Sequence, residues 1–266
     1  MRQRQPYYHL AMDKYAGKVS AVAVIQASII QGSVLGTATY VVTAADLHPV
    51  HDRNRIFKFS DDTYLVVPGV NPDTCQEEID HIQKWAADNK LKLNHNKTKE
   101  IVSSSRQQGA LPPPRPDTER VTSSRVLGVI VNDKLTATDH VTMLLSSCSS
   151  LLYAMRVLRS HGTPTTSLNG IFRAIVVSHI QYAAPASSEM SSATDRSRLD
   201  SLLRRGKRFG YCSNDVPTVT ELFNLADDDF FYSIITNSAH VLQLYLPDHG
   251  TNIPYRLGTP PQHNNN

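Results

Sequence analysis

The stretch RIFKFSDDTYLVVPG, residues 55–69, decides how the rest of the chain is interpreted. Two runs of β-forming residues flank Asp61 and Asp62, so the stretch predicts a β-hairpin with both carboxylates at its turn. A two-residue hairpin turn more often carries Asn-Gly or Asp-Gly. Two carboxylates that are ~4 Å apart repel each other by about 4 kcal/mol at an effective dielectric constant near 20. The turn is therefore either solvated or holds a metal ion.

Composition sets wide limits on the function. The chain has 266 residues, of which 40% are hydrophobic, which is enough for a packed core in one large domain or two modest ones. Its net charge of +3 permits a polyanionic partner without requiring one. The three cysteines are widely separated and form no C-x-x-C pair, which argues against a disulfide framework and a zinc ribbon.

The sequence gives no sign of targeting to a membrane or of secretion. No apolar run approaches about 18 residues, and the N-terminal stretch lacks the apolar core of a signal peptide. We therefore expect an intracellular protein, nuclear or cytoplasmic, that has no membrane partner.

Hydrophobic periodicity outlines the elements near the hairpin. Apolar residues alternate over 18–30, which predicts a strand or hairpin, and recur at helical spacing over 34–47, which predicts a helix. After the hairpin, Thr74 and Glu77 predict a capping box at the start of a helix that ends near residue 89. Residues 91–104 then return to strand character.

A proline tract divides the chain. LPPPRP, residues 111–116, continues neither a helix nor a strand, because proline lacks the backbone donor. The tract is either a stiff linker or a ligand for an SH3-type groove. Residues 125–133 predict a short strand, and the chain from there to about residue 212 is predicted to be helical, with its clearest helix over 138–160.

Four segments occur in a characteristic order. They are QGSVLG at 31–36, FSDDTYLVV at 59–67, WAADNKLKLNHNKTKEIV at 85–102 and RVLGVIVNDKLT at 125–136. Together they closely resemble the reverse transcriptases of non-LTR retrotransposons. The likeness continues through the helical region, so it covers nearly everything from about residue 15 onward.

The resemblance implies an α+β fold. It implies a partial polymerase palm, an antiparallel sheet with helices, over residues 1–110. A Pro-rich linker at 111–118 would precede a primer-grip strand and an all-α, thumb-like helical region over 119–212. The remaining residues, 213–266, would be a C-terminal region with a disordered tail.

The resemblance also implies an RNA-directed DNA polymerase from a mobile element. Such an enzyme extends a DNA primer on an RNA template with deoxynucleoside triphosphates and two Mg²⁺ ions. Asp61 and Asp62 match the catalytic carboxylates that hold the ions. The residues that match the nucleotide- and template-binding positions are Gln31, Gly32, Ser33 and Lys97. Lys97 is equally well interpreted as a solvated lysine at the end of a strand.

Two departures from the family pattern bear on activity. Ser60 replaces the alanine that usually precedes the two aspartates, a small-for-small change. The family's first palm aspartate belongs to an F-x-x-x-F-D strand upstream, and Asp13 does not match that motif. We therefore expect the chain to lack this aspartate and the fingers that grip the template, so that polymerisation by this chain alone is crippled. An apolar sheet edge would also be left open for another chain that supplies the missing strand.

A basic segment near residue 205 offers a second candidate site. Arg204, Arg205, Lys207 and Arg208 belong to a basic run that begins at Arg196 and Arg198. Apolar residues are interleaved with this run, so one helix face would be buried while the other would be basic; they are Leu199, Leu202, Leu203 and Phe209. By itself such a helix is often simply solvated, but in a thumb-like region it predicts contact with the template–primer duplex. The alternative to a polymerase is therefore a nucleic-acid-binding remnant without catalysis.

Overall fold

In the computed structural model, the described residues are 41–103, 112–115 and 118–246, with the backbone of four short strands nearer the N-terminus. They form helices and small two-stranded sheets, which confirms an α+β class. The chain divides into two compact units, residues 1–122 and 123–266. The finer domain assignments made from the sequence stay predictions.

The N-terminal strands pair in two small antiparallel ladders. Strand β1 (His9–Ala11) pairs with β4 (Ala23–Ile25), and β2 (Lys14–Tyr15) pairs with β3 (Lys18–Val19). Both β3 and β4 lie within the region where alternation predicts a strand. Of the helix predicted over 34–47, the described part is helical at 41–43 and continues into a 3₁₀ turn, Ala44–Asp46.

The predicted hairpin is present. Strand β5 (Arg55–Phe59) pairs antiparallel with β6 (Asp62–Val66), and Phe59 lies opposite Asp62. Because side chains alternate along a strand, the hairpin has two different faces. Its inner face carries the half-buried Ile56 and Leu65, and its outer face carries exposed aromatic side chains.

Helix α1 (Cys75–Asp88) follows the hairpin, but the predicted capping box is wrong. A 3₁₀ turn, Pro72–Thr74, runs directly into the helix, so Thr74 already has helical φ and ψ. Its hydroxyl donates to the carbonyl oxygen of Asn71, at 2.8 Å, instead of accepting from the third helical residue. The cap was mispredicted because the 3₁₀ turn moves the true start of the helical segment upstream.

The strand predicted over 91–104 is much shorter than expected. Asn94 accepts backbone hydrogen bonds from Lys97 and Thr98, which turns the chain through a 3₁₀ helix, His95–Lys97. Only β7 (Lys99–Glu100) is extended in a ladder among the described residues of this segment, and it pairs in parallel with β8 (Glu119–Arg120). The side chain of Arg120 donates to Glu100 at 2.8 Å and stabilises that pairing.

The second unit opens with a hairpin and continues as helices. Strands β9 (Ser123–Val126) and β10 (Val129–Asn132) cover the predicted strand at 125–133. The elements that follow are α2 (Thr138–Ser160), α3 (Thr165–Ile171), a π-helical segment (Phe172–Val177), α4 (Ser178–Gln181), α5 (Ala184–Ser187), α6 (Ala193–Arg208) and α7 (Val219–Thr236).

Helices α2 and α6 form the centre of this unit and run parallel. At their first turns the hydroxyl of Thr138 donates to Asp195, at 3.0 Å, and at their last turns Arg159 donates to the carbonyl oxygen of Phe209. The core they share is apolar and includes Val141, Leu144, Cys148, Leu152, Met155, Leu199, Leu202 and Leu203. By length and composition α2 would also pass as a membrane span, which is weak evidence because core helices of soluble proteins pass the same test.

Helix α7 was not predicted from the sequence. Its start carries a capping box in which Thr218 and Glu221 exchange hydrogen bonds, with 2.7 Å from Thr218 N to Glu221 and 3.3 Å from Glu221 N to Thr218. This T-x-x-E pattern is visible in the sequence and precedes an apolar run, so it is the signal that would have located the helix.

Candidate catalytic hairpin and nucleic-acid interface

The β5–β6 turn presents both candidate catalytic carboxylates to solvent. Ser60 and Asp61 are the two central residues of the turn, and Asp62 is the first residue of β6. Ser60 has a φ of 52°, a left-handed conformation that favours glycine, because a Cβ crowds the backbone there. Asp61 and Asp62 are both exposed, and the hydroxyl of Tyr64 donates to Asp62 at 3.3 Å.

Lys58 anchors the hairpin to the preceding helical segment. Its ammonium group donates to the carbonyl oxygens of Ala44, at 2.6 Å, and Leu47, at 2.8 Å. Burial lowers the pKa of Lys58, and the nearby Asp46 partly opposes that shift. Ala44, Lys58 and Ser60 also line a shallow cavity of about 210 Å³ beside the turn. Sequence reasoning missed Lys58, because its position on the inner face becomes informative only once the strand register is known.

The outer face of the hairpin is apolar and open. Phe57 is 48% exposed, Phe59 is 63% exposed and Val66 is 50% exposed. Phe57 lies opposite Tyr64, and Phe59 lies opposite Asp62, so the aromatic surface continues to the carboxylate turn. In the described part of the chain, β5 and β6 form a sheet of two strands only.

The other residues that were predicted to bind nucleotide or template are not grouped with the turn among the described residues. Gln31, Gly32 and Ser33 lie outside the described residues. Lys97 is exposed and ends the 3₁₀ helix His95–Lys97, rather than lying at the end of a strand. Among the described residues no group of three or more histidine, cysteine, aspartate or glutamate side chains is arranged to hold a metal ion.

Helix α6 brings three of the four predicted basic residues onto one solvent face. Arg204, Arg205 and Arg208 are exposed and lie at helical spacing opposite the buried Leu199 and Leu202. We call these three residues the arginine stripe. Arg208 also stacks over the ring of Phe209, with its guanidinium carbon 5.3 Å from the ring centroid. A guanidinium–aromatic surface of this kind suits phosphates and unstacked bases.

Lys207 does not belong to that face. Its ammonium group donates to the carbonyl oxygens of Asn214, at 3.1 Å, and Val216, at 2.7 Å, and so holds the loop that follows α6. Arg198 is likewise engaged, because it pairs with the buried Asp195 at 3.3 Å. The sequence does not distinguish the basic side chains that bond within the protein from the exposed ones, because it does not show where the loop after α6 lies.

The β9–β10 turn carries a contact that sequence reasoning missed. Tyr182, from the junction of α4 and α5, donates its hydroxyl to the carbonyl oxygen of Leu127 at 2.8 Å. Leu127 and Gly128 are the turn residues, and they belong to the segment RVLGVIVNDKLT.

Comparison with known proteins identifies the relationship. The chain is 26% identical, over 150 residues, to the RNA-directed DNA polymerase from mobile element jockey of Drosophila melanogaster. The resemblance to reverse transcriptases of non-LTR retrotransposons is confirmed. The match covers 51% of this chain and 16% of the relative, so the chain spans about one sixth of the length of the polymerase that it matches. No protein-family model and no solved structure matches the chain.

The relationship to a non-LTR reverse transcriptase supports a general assignment. The matched relative is an RNA-directed DNA polymerase of a mobile element, which makes that relative a nucleotidyltransferase.

Proposed function

We propose that the chain takes part in RNA-directed DNA synthesis, in which a DNA primer is extended on an RNA template from deoxynucleoside triphosphates. The observation that carries this proposal is the turn at Asp61 and Asp62. Two adjacent carboxylates face solvent at the end of a hairpin, in a chain that is similar over half its length to an RNA-directed DNA polymerase. In this proposal the first unit belongs to a polymerase palm and the second to a thumb-like region.

Magnesium fits part of this site. Carboxylate oxygens are the ligands that Mg²⁺ prefers, and Asp61 and Asp62 would hold the ions from adjacent positions of the turn. The described residues group no third histidine, cysteine, aspartate or glutamate side chain with them as a metal site. When bound, magnesium supplies activation of the primer hydroxyl and neutralisation of phosphate charge. The chain itself contributes the two carboxylates and the hairpin that presents them.

The other predicted residues have complementary roles in this proposal. Gln31, Gly32 and Ser33 approach the nucleotide and template, where a glycine allows close backbone contact. Lys97 lies exposed, so its ammonium group is free to approach the nucleotide phosphates. The arginine stripe of α6 binds the phosphate backbone of the template–primer duplex.

The open outer face of the hairpin supports a partner chain as part of the same proposal. Large apolar side chains that remain exposed together usually mark an interaction surface, and the unpaired edges of a two-stranded sheet accept a further strand. Phe57, Phe59 and Val66 provide such a surface. A strand from another chain would extend the sheet at its edge beside the carboxylates, and further residues of that chain could pack on the apolar face.

Primer extension tests the catalytic proposal. The assay uses an RNA template, a DNA primer and Mg²⁺, and compares the wild type with the Asp61→Asn and Asp62→Asn variants. Asp73→Asn is the matched control, because Asp73 is an exposed aspartate in the 3₁₀ turn Pro72–Thr74. Because the first palm aspartate is missing, we expect only weak extension by the wild type and the control, and a loss of that weak extension in both turn variants. Equal extension by all four proteins would remove the turn from the chemistry.

The arginine stripe favours a second function, nucleic-acid binding without catalysis. Three exposed arginines on one helix face would contact phosphates whether or not the hairpin is catalytic. The outcome that identifies this function is salt-dependent duplex binding that ignores Asp61→Asn, together with an absence of primer extension. Charge removal at Arg204 and Arg205 should then weaken binding.

A further inference from the structure

The proline tract, LPPPRP at residues 111–116, has no role in the proposed function. The structure describes it over residues 112–115, where Pro112, Pro113 and Pro114 are exposed and Arg115 is half-buried. The division between the two compact units follows residue 122, so these four residues lie inside the first unit. The described part of the tract is therefore a surface feature of that unit.

The chemistry of proline favours a polyproline II helix over this tract. Each proline fixes its own φ at about −65°, and the residue before a proline is pushed toward extended or polyproline II values of ψ. Pro112, Pro113 and Arg115 each precede a proline, and residues 112–115 form neither helix nor strand. Because a polyproline II helix has about three residues per turn, Pro112 and Arg115 share one ridge, whereas Pro113 and Pro114 occupy the other two.

Arg120 ties the tract to the small parallel ladder of β7 and β8. Its guanidinium donates to two successive carbonyl oxygens of the tract, those of Pro112, at 2.6 Å, and Pro113, at 3.2 Å. The Nε of the same side chain donates to Glu100, on the neighbouring strand, at 2.8 Å. The tract is thus held through its main chain, which leaves the proline rings exposed.

Arg115 is bound within the protein. Its Nε lies 3.4 Å from a carboxylate oxygen of Glu100, its Nη1 donates to the side-chain oxygen of Gln76 at 2.8 Å, and its side chain is only 20% exposed. An SH3 groove combines aromatic pockets for prolines with an acidic pocket for a nearby basic residue. Here Glu100 already pairs with that basic residue. The arrangement therefore favours a groove that recognises proline rings alone, which is the chemistry of a WW domain, where aromatic side chains clamp consecutive prolines.

We infer that Pro113 and Pro114 form a preorganised docking site for a small protein domain of the WW type, whose aromatic groove takes the two exposed rings. Arg120 holds the tract in place before the partner arrives, so less conformational entropy is lost on binding than for a free proline-rich segment. The inference is independent of the proposed function, because it needs neither the carboxylate turn nor a nucleic acid.

Titration of the labelled full chain with purified WW domains that cover the known recognition classes tests the inference. We expect at least one domain to bind, and Pro113→Ala and Pro114→Ala each to weaken that binding at least about fivefold, since each variant loses a ring from the centre of the interface. Pro72→Ala is the matched control, because Pro72 is an exposed proline of the same unit outside the tract, and its affinity should equal that of the wild type. Binding to none of the domains, or binding that ignores both tract variants, would overturn the inference.

A synthetic peptide with the sequence of residues 108–118 tests the preorganisation. We expect the full chain to bind the same WW domain about three- to tenfold more tightly than the peptide does, because the peptide must lose conformational freedom that the folded tract has already lost. Equal or weaker binding by the full chain would overturn the inference, since the fold would then ignore or hinder the tract instead of presenting it.

Purified SH3 domains separate the two kinds of groove. They should bind the full chain at least about tenfold more weakly than the WW domain does, because freeing Arg115 for an acidic pocket breaks its charged hydrogen bond and its ion pair. An SH3 domain that binds as tightly as the best WW domain, and that loses this binding in Arg115→Ala, would also overturn the inference.

Discussion

Glu78 is a fully buried carboxylate that organises the loop before the hairpin. It accepts hydrogen bonds from the backbone N–H groups of Val50, at 3.0 Å, and His51, at 2.9 Å, and from the side-chain amide of Asn54, at 2.9 Å. Burial alone would raise the pKa of Glu78, but these hydrogen bonds lower it on balance. Nothing in the sequence distinguishes Glu78 from the exposed Glu77 beside it, because burial depends on how the loop folds over α1.

Replacing Glu78 by glutamine should destabilise the first unit by about 2 kcal/mol, because an amide nitrogen would face donors that a carboxylate satisfies. Trp85, the single tryptophan, reports unfolding of this unit through its fluorescence. Because the pKa of Glu78 is lowered in the folded protein, its stabilisation is complete at pH values above the pKa of the unfolded chain, about 4.3. The stabilisation is lost as the pH falls through the pKa of the folded protein. Glu77→Gln is the control, because Glu77 is exposed and its pair with His51, at 2.8 Å, is solvated, so the denaturation midpoint should change little.

His140 makes the stability of the second unit depend on pH, through protonation of a buried imidazole rather than of a carboxylate. It is buried, and Nε2 has no hydrogen-bond partner within the part of the chain that the structure describes. Burial lowers the pKa of His140, and the positive charge of Arg125 lowers it further. The folded state therefore keeps the imidazole neutral, while the unfolded chain binds a proton near pH 6.5, at about the ordinary value.

Stability of the second unit should accordingly fall as the pH drops below about 6.5. Circular dichroism during denaturation at pH 7.5 and pH 5.5 measures this change. A His140→Leu variant should lose much of the difference between the two pH values, whereas His179→Gln, at an exposed position of α4, should retain it. An unaltered pH dependence in His140→Leu would show that this imidazole is not the group responsible.

At the scale of whole elements, the strongest periodic patterns were the most predictive. Apolar spacing sustained over more than four turns located α2, and the runs of β-forming residues on either side of the two aspartates located the β5–β6 hairpin. The errors arose where a local turn overrode the pattern, as the 3₁₀ turns did before α1 and at His95–Lys97. The contacts of Lys58 and Tyr182 were not predictable, because both connect residues that are distant in sequence.

The crossing of α6 over the π-helical segment is a close contact that depends on glycine. A Cβ added to Gly206 would lie 2.4 Å from Cε2 of Phe172. Gly206→Ala should therefore overpack the core and destabilise the second unit by about 1–3 kcal/mol. The control is Gly170→Ala in α3, where a Cβ meets no atom within 4 Å. Because alanine favours helix more than glycine, the control should be neutral or stabilised by up to about 1 kcal/mol in the same denaturation experiment.

The outer face of the β5–β6 hairpin makes a separate prediction about association. Phe59→Thr replaces the most exposed aromatic residue of that face with a β-compatible polar one. If this face accepts another chain, the variant should be more soluble and should associate less than the wild type in sedimentation experiments. Tyr153→Thr, a change of similar size at an exposed position on α2, should leave association as it was. Equal association of the Phe59→Thr variant and the wild type would show that the face does not mediate it.

For the whole molecule, the distribution of charge matters more than its sum. A net charge of +3 over 266 residues gives little overall attraction for a polyanion, whereas the arginine stripe concentrates positive charge on one helix face. Replacing Arg204, Arg205 and Arg208 by alanine should reduce the slope of log duplex affinity against log salt by about 2–3. Arg173→Ala is the control, because Arg173 already pairs with Asp215 at 2.7 Å. A slope that is equally reduced by the control would contradict a specific role for the stripe.

Binding of a divalent cation at the β5–β6 turn tests the central claim most directly. Electron paramagnetic resonance with Mn²⁺ as the probe measures the dissociation constant for the full chain and for Asp61→Asn, Asp62→Asn and the control Asp73→Asn. We predict that the wild type and the control bind Mn²⁺ and that each turn variant binds it about tenfold more weakly or worse, since a direct ligand is removed. Mn²⁺ binding that is the same in all four proteins, or absent from the wild type, would contradict the account.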